Sequence, residues 1–284
     1  MLVNMREMLN DAKNGGYAVA QLNINNLEWI KFVLTACEES KSPVILGVSE
    51  GAGKYMGGYK NVADMVNNLM WFLKITVPVA LHLDHGTSYE SCVGAIDSGF
   101  TSVMIDASKE TLENNIAITK RVVDYAHTRG VTVEGEIGHV GGQEDGISGE
   151  ILYAEVDECV RYCMETGVDF LAPALGSVHG PYKGEPKLHF ERMKEISEKT
   201  GLPLVLHGGT GLYDEQVRQA MECGICKLNI NTELQQAWTE GVRNKLNSDS
   251  EEYDPRKVIG AGEPNVKDAI KVKLELLGTT GINQ

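Results

Sequence analysis

Long hydrophobic runs are missing from this 284-residue sequence. No stretch approaches the ~20 consecutive apolar residues that a membrane-spanning helix needs. Net positive charge is missing too: 26 Lys and Arg against 40 Asp and Glu leave a formal charge of −14. Such a surface repels nucleic acid and anionic membranes at long range, so neither is an expected partner. An anionic small molecule would meet the same field, and a site for one must be locally positive. Residues 1–10 have no basic segment leading into an apolar one. No signal peptide is read there, and a cytoplasmic location is expected. A GxGxxG opening, the mark of a dinucleotide-binding doubly wound sheet, is absent. So are low-complexity segments and obvious linkers. Cysteine is sparse, at six residues. Cys159 with Cys163, and Cys223 with Cys226, have spacings that a metal or redox site can use. No Cys-rich loop frames them, and reduced, half-buried thiols are the expectation.

What remains is regular. Short apolar runs at 17–24, 43–49, 77–85, 102–107, 132–138, 170–178, 202–207 and 227–231 read as eight strands. Segments with helical spacing lie between them, at 27–41, 62–74, 86–99, 111–128, 156–166, 190–199 and 214–223. Strands and helices in strict alternation predict a parallel (β/α)8 barrel, the TIM barrel, as one domain over 1–284. A helical tail occupies about 249–284, with a helix near 265–277. The polar, glycine-rich stretch 138–149 is too long for a βα connection and reads as a mobile loop after the fifth strand.

Chemistry in such barrels sits at the C-terminal ends of the strands. Here those ends carry Asn23, Ser49, Asp84 with His85, Asp106, Glu136, His179, His207 and Asn229 to Thr232. Of seven histidines, three end the predicted strands three, six and seven: His85, His179 and His207. Each precedes a glycine, which lets the backbone turn and a ligand approach. A single strand-end histidine is usually satisfied by local hydrogen bonds. Three at one barrel mouth point instead to a zinc site with an open, and therefore catalytic, position. Asp106 and Glu136 are read either as carboxylates supporting these ligands or as contacts to an alternate metal position. His82 is expected to pack beside the site, and His127 and His189 to lie at the surface.

The loops after strands seven and eight of such barrels often bind phosphate. Gly208, Gly209 and Thr210 follow His207, and Asn229, Asn231 and Thr232 end strand eight. Exposed N–H groups and hydroxyls there suit an anion. Lys183 adds a nearby cation.

At this point the motifs form a recognisable set. LHLDHG at 81–86, MIDAS at 104–108, GSVHGPYKG at 176–184, LHGGTG at 206–211 and KLNINTE at 227–233 together resemble the class II fructose-bisphosphate and tagatose-bisphosphate aldolases. The resemblance spans about 2–277. It implies a metal-dependent lyase using a sugar phosphate, with zinc at His85, His179 and His207. It also implies a second or alternate metal position at Asp106 and Glu136, and room for a monovalent cation. Asp84 resembles the family's acid/base on the C4 hydroxyl, and Glu144 its mobile-loop proton carrier. Asn229 resembles a donor to the developing oxyanion. Asn23, Gly180, Lys183, Gly208, Gly209, Thr210, Asn229, Asn231 and Thr232 match the substrate site. Ser49 and Arg256 match groups at the distal phosphate, Arg256 reaching it from a neighbouring subunit in a homodimer or homotetramer.

Two departures stand out. Asn231 occupies a position where many fructose-bisphosphate members carry aspartate, and His139 stands in the loop where a smaller residue is expected; His139 is read as solvated, with an adventitious metal contact as the alternative. Fructose 1,6-bisphosphate is the favoured substrate and tagatose 1,6-bisphosphate the alternative. A Schiff-base aldolase would need a lysine inside the barrel, and Lys227 is expected at the opening, wrong end of strand eight. A zinc hydrolase would show an HxH pair on strand one, which is absent. A non-catalytic sugar-phosphate sensor would not need Asp84 and Glu144.

Overall fold

The computed structural model describes residues 2–144, 147–149, 152–180, 182 and 184–283; at 143–144 and 147–149 only the backbone is described. The strands are β1 (Val19–Asn23), β2 (Val44–Ser49), β3 (Val79–Gly86), β4 (Ser102–Ile105), β5 (Thr132–Ile137), β6 (Gly141–Glu144), β7 (Ile147–Gly149), β8 (Phe170–Pro173), β9 (Val178–His179), β10 (Leu204–Leu206) and β11 (Ile225–Ile230). The helices are α1 (Met5–Gly15), α2 (Leu27–Glu39), α3 (Glu50–Tyr55), α4 (Tyr59–Phe72), α5 (Tyr89–Asp97), α6 (Leu112–His127), α7 (Val156–Thr166), α8 (Phe190–Thr200), α9 (Asp214–Glu222), α10 (Thr232–Ser248), α11 (Pro255–Gly260) and α12 (Glu263–Leu276).

Eight strands close into an all-parallel barrel in the order β1-β11-β10-β8-β5-β4-β3-β2. Sequence order and spatial order coincide once β6, β7 and β9 are set aside, as in the (β/α)8 architecture. Helices start where a side chain can take a free N–H: Asn26 accepts from Trp29 N at 2.9 Å, and Ser88 from Ser91 N at 3.1 Å. The outward faces of the strands meet the apolar faces of the helices in one continuous core. The helix α12 closes the outer ring by packing on both α10 and α2.

A second, smaller core lies inside the lower end of the barrel. Met5, Met8, Leu9 and Ala12 of α1 pack on Val19, Ile45, Ala80, Phe170, Val205 and Cys226, which stand near the N-terminal ends of their strands. The salt bridge from Arg6 to Asp169, 2.6 Å, helps hold α1 across that end.

Three expectations need correction. The sixth barrel strand does not run to 178: it ends at Pro173. Gly176 turns the chain with φ 105°, and a Cβ there would meet Lys187 O at 2.0 Å. His179 therefore lies on the separate strand β9, which joins β6 and β7 in a three-stranded sheet. The stretch 138–149, expected as a loop, contributes the antiparallel pair β6 and β7. Lys227 does not open the last strand: β11 begins at Ile225, which carries Lys227 inside the barrel.

Candidate metal centre and active site

Alternate residues of a barrel strand face inward. On β1 these are Gln21 and Asn23, on β3 His82 and Asp84, on β5 Glu134 and Glu136, and on β11 Lys227 and Asn229, all buried. The interior is thus polar, and its groups find one another. Asn23 Nδ2 donates to Asp84 Oδ2 at 3.0 Å, Asn229 Nδ2 to Asp84 Oδ1 at 3.4 Å, and Lys227 Nζ to Glu134 Oε2 at 2.7 Å.

Strict alternation would turn His85 away from the face that Asp84 occupies. The backbone breaks that rule. His85 has φ 51°, and the pairing of β3 with β4 shifts between Leu83 and Gly86. This local irregularity re-aims the side chain, as bulges beside active sites do. Adjacent residues Asp84 and His85 thereby both serve the barrel mouth. Two glycines bring the other histidines in. A Cβ on Gly208 would meet Val178 O at 2.2 Å, and one on Gly142 would meet His179 O at 2.2 Å. The backbones after His207 and around His179 can approach this closely only without side chains at those points.

The three rings converge. His85 Nε2 lies 2.9 Å from His207 Nδ1 and 3.2 Å from His179 Nε2. Carboxylates behind two of them decide which nitrogen holds the proton. Asp106 Oδ2 is 2.9 Å from His85 Nδ1, and Glu134 Oε1 is 2.9 Å from His207 Nε2. An ionised carboxylate only accepts, so each takes an N–H and leaves the opposite nitrogen with its lone pair facing the cluster. Asn229 Nδ2 lies 3.2 Å from His207 Nδ1. Two imidazole lone pairs held toward one point, with His179 Nε2 beside them, suit a cation, with a coordination position left for a ligand. The ligand atoms of His85, His179 and His207 lie within 4.8 Å of one another, as do those of His85, Asp106 and Glu136.

The electrostatics agree. Burial alone would lower the His85 pKa, but the Asp106 hydrogen bond and the charges of Asp84, Asp106 and Glu136 raise it to about 10. The pocket therefore favours a positive charge. Burial and the neighbouring His85 and His207 push His179 down to about 2, so a second proton is not accommodated. A single multivalent cation shared by the three rings meets both demands. Burial works against the Asp84 charge, but His85, His207, Lys227 and His82 together hold its pKa below the usual carboxylate range. Burial and Asp106 lift Glu136 to about 8. The residues present fit a zinc ion.

Other predicted residues fall around this centre. Ser49 pairs in register with Asp84 on the neighbouring strand and caps α3, accepting from Ala52 N at 3.1 Å. Gly209 N donates to Asn229 O at 3.0 Å, and Thr210 Oγ1 accepts from Glu233 N at 3.4 Å. These contacts set 208–210 against the start of α10, where Asn231 and Thr232 lie. Gly180, φ 76°, follows His179. The backbone of Glu144 lies on β6, whose Gly142 pairs with His179. The side chain of Glu144 and all of Lys183 lie outside the described residues. Arg256 stands apart on α11, exposed, with its guanidinium on Asp254 at 2.7 and 3.0 Å.

His139 is not solvated as expected. It is buried, with Nδ1 3.0 Å from Ser108 Oγ and 3.8 Å from Glu136 Oε1. His127 lies at the surface as expected, and its ring is bonded to Asp169 at 2.9 Å. The cysteines are unpaired thiols, and burial raises the pKa of Cys226 to about 11. Sequence reasoning missed Glu134, Ser108 and the interior place of Lys227. Strand periodicity holds the signal for two of them: Glu134 is two residues from Glu136, and Lys227 two from Asn229.

Comparison with known proteins matches residues 3–282 to the family described as fructose-bisphosphate aldolase class-II. The chain is 58% identical to a fructose-bisphosphate aldolase of Geobacillus stearothermophilus over 281 residues, 99% of this chain and 98% of the relative. A fructose-bisphosphate aldolase of Staphylococcus aureus (strain Mu50 / ATCC 700699) is 56% identical, covering 98% of both chains. Among solved structures, the YdjI aldolase from Escherichia coli K12 superposes with a TM-score of 0.88 at 36% identity, covering 100% of both chains. A Coccidioides immitis protein described as a putative fructose-1,6-biphosphate aldolase superposes with a TM-score of 0.89 at 28% identity, covering 98% of this chain and 96% of that one.

Proposed function

The chain belongs to the class II fructose-bisphosphate aldolase family, and from that premise we propose that it catalyses the reversible cleavage of fructose 1,6-bisphosphate to dihydroxyacetone phosphate and glyceraldehyde 3-phosphate. The observation that carries this reading is the convergence of His85, His179 and His207 beside an ionised Asp84 at the barrel mouth.

His85, His179 and His207 would hold a zinc ion, with Asp106 and Glu136 as supports or as an alternate position. Bound there, zinc supplies Lewis-acid stabilisation of negative charge on the ketose oxygens. In the cleavage direction the Asp84 carboxylate takes the proton of the C4 hydroxyl. C4 becomes the aldehyde carbon as the C3–C4 bond breaks, and the bonding pair stays with C3. Asn23 orients Asp84 through its amide, and Asn229 offers an N–H to developing oxyanion charge. Glu144 returns a proton to C3 once its loop closes over the substrate. Gly180, Lys183, Gly208, Gly209, Thr210, Asn231 and Thr232 hold the phosphate of the dihydroxyacetone phosphate half, helped by the N-terminus of the 17-residue α10. Ser49 and a neighbouring subunit's copy of Arg256 hold the distal phosphate in a homodimer or homotetramer. A cytoplasmic location fits this metabolic role, and among the described residues no helix is long and apolar enough to cross a membrane.

Fructose is preferred over tagatose because the curated relatives at 58% and 56% identity are named for fructose bisphosphate. The test is cleavage of each bisphosphate by purified protein, before and after chelation. Fructose bisphosphate should be cleaved faster, activity should vanish with the chelator, and zinc should restore it. Faster cleavage of tagatose bisphosphate would overturn the substrate assignment, and full turnover by metal-free protein would overturn the metal assignment.

A further inference from the structure

Beneath the histidine cluster lies a charge pair that the reaction derived above does not use. Lys227 and Glu134 are wholly buried inside the barrel, with Nζ and Oε2 2.7 Å apart. The other oxygen of Glu134 accepts Nε2–H of His207 at 2.9 Å. His82 Nε2 lies 3.7 Å from Oε2. Its other nitrogen meets Ser102 Oγ at 2.8 Å, and burial lowers its pKa to about 3, leaving the ring neutral. Among the described residues, Lys227 is the one Lys or Arg side chain that reaches Glu134.

Stability does not explain this pair. Taking an ammonium and a carboxylate out of water costs more than their attraction commonly returns, and well-packed apolar residues of similar volume often serve a core as well or better. The far end of the chain of contacts explains it. A carboxylate held by lysine on one oxygen cannot rotate away from the imidazole on the other. As it can only accept, the proton of His207 is confined to Nε2, and Nδ1 is turned toward His85 and His179.

We propose that Lys227 is a positioning residue of the metal site: through Glu134 it fixes the tautomer and ring orientation of His207, and so sets the affinity of the three-histidine cluster for zinc. This rests on the reading of that cluster as a zinc site. The experiment measures the zinc Kd by competition with a chromophoric chelator, and the tautomer of His207 from its ¹⁵N shifts. Both are taken on the unmodified protein, on Lys227→Met, and on Lys227→Met combined with Glu134→Gln. The double variant leaves no uncompensated buried charge, so it keeps the test open should the single variant fail to fold.

In the unmodified protein His207 should carry its proton on Nε2. Lys227→Met should weaken zinc binding by ~10- to 100-fold, the usual effect of removing a group that orients a ligand. In the double variant the amide can donate as well as accept. The tautomer is then no longer enforced, and zinc affinity should stay ~10-fold or more below that of the unmodified protein. Unchanged affinity in whichever variant folds, or an Nδ1 proton on His207 in the unmodified protein, would overturn the role of Lys227. Failure of the unmodified protein to take up zinc at all would instead overturn the metal assignment beneath it.

Discussion

Asp84 lies between two amide donors, Asn23 and Asn229, and beside the histidine cluster. A buried carboxylate held charged in this way is a base already in its working form. Asp84→Ala should lower kcat for fructose bisphosphate by at least ~10²-fold, the lower range of general acid–base contributions. Zinc content by metal analysis should stay near normal, because the carboxylates bonded to His85 and His207 are Asp106 and Glu134, not Asp84. Wild-type turnover would remove Asp84 from the mechanism. At this scale the meeting of these side chains was partly legible: Asp84, His85, His207 and Asn229 stand at or just past strand ends, whereas His179, read as a strand end, reaches the cluster from β9. Glu134 and Lys227 were not, because a charged pair sunk below the strand ends is unexpected on average burial preferences. His139 was misjudged for a similar reason. Its loop reads as polar, yet Ser108 and Glu136 give the ring partners out of solvent.

The elements the sequence revealed are those with an apolar stripe. The spacing of α2, α4, α6, α7, α8 and α9 predicts helices within a few residues of their observed ends. The helix α10 escaped because, of its 17 residues, only Leu234 and Gly241 are buried, too few for a recognisable face. The helix α1 was missed although Met5, Met8, Leu9 and Ala12 form such a stripe; its partners are strand ends that the sequence does not place together. Strand six was overextended because the signals at Pro173 and at Gly176-Ser177, where the chain does break, were passed over. The short α11 begins at Pro255 after the capping residue Asp254, which also grips Arg256. For Arg256 to serve a phosphate it must leave Asp254, a trade between two charge-assisted bonds. Arg256→Ala should therefore weaken fructose bisphosphate by ~10- to 150-fold, corresponding to ~1.5–3 kcal/mol. Dihydroxyacetone phosphate, which lacks the distal phosphate, should be little affected. Equal losses for both ligands, measured by competition binding, would place Arg256 elsewhere.

At the scale of the whole molecule, a chain of net charge −14 must gather an anionic substrate at one small region. It does so with donors and a cation-seeking pocket at one end of the barrel, while α1 stoppers the other end. Among the described residues the lower end is filled by α1, which directs traffic to the mouth. A metal ion, the substrate and the products would then share the mouth, so the ion would have to be seated first, and whatever occupies the mouth would guard it. Saturating dihydroxyacetone phosphate should accordingly slow the stripping of zinc by a chelator, followed as the time course of metal release. Identical release with and without it would mean that the ion leaves by some path other than the mouth. In kinetic terms, the N-terminal helix would then make the working enzyme the form that holds its metal longest, and the idle enzyme the form that loses it.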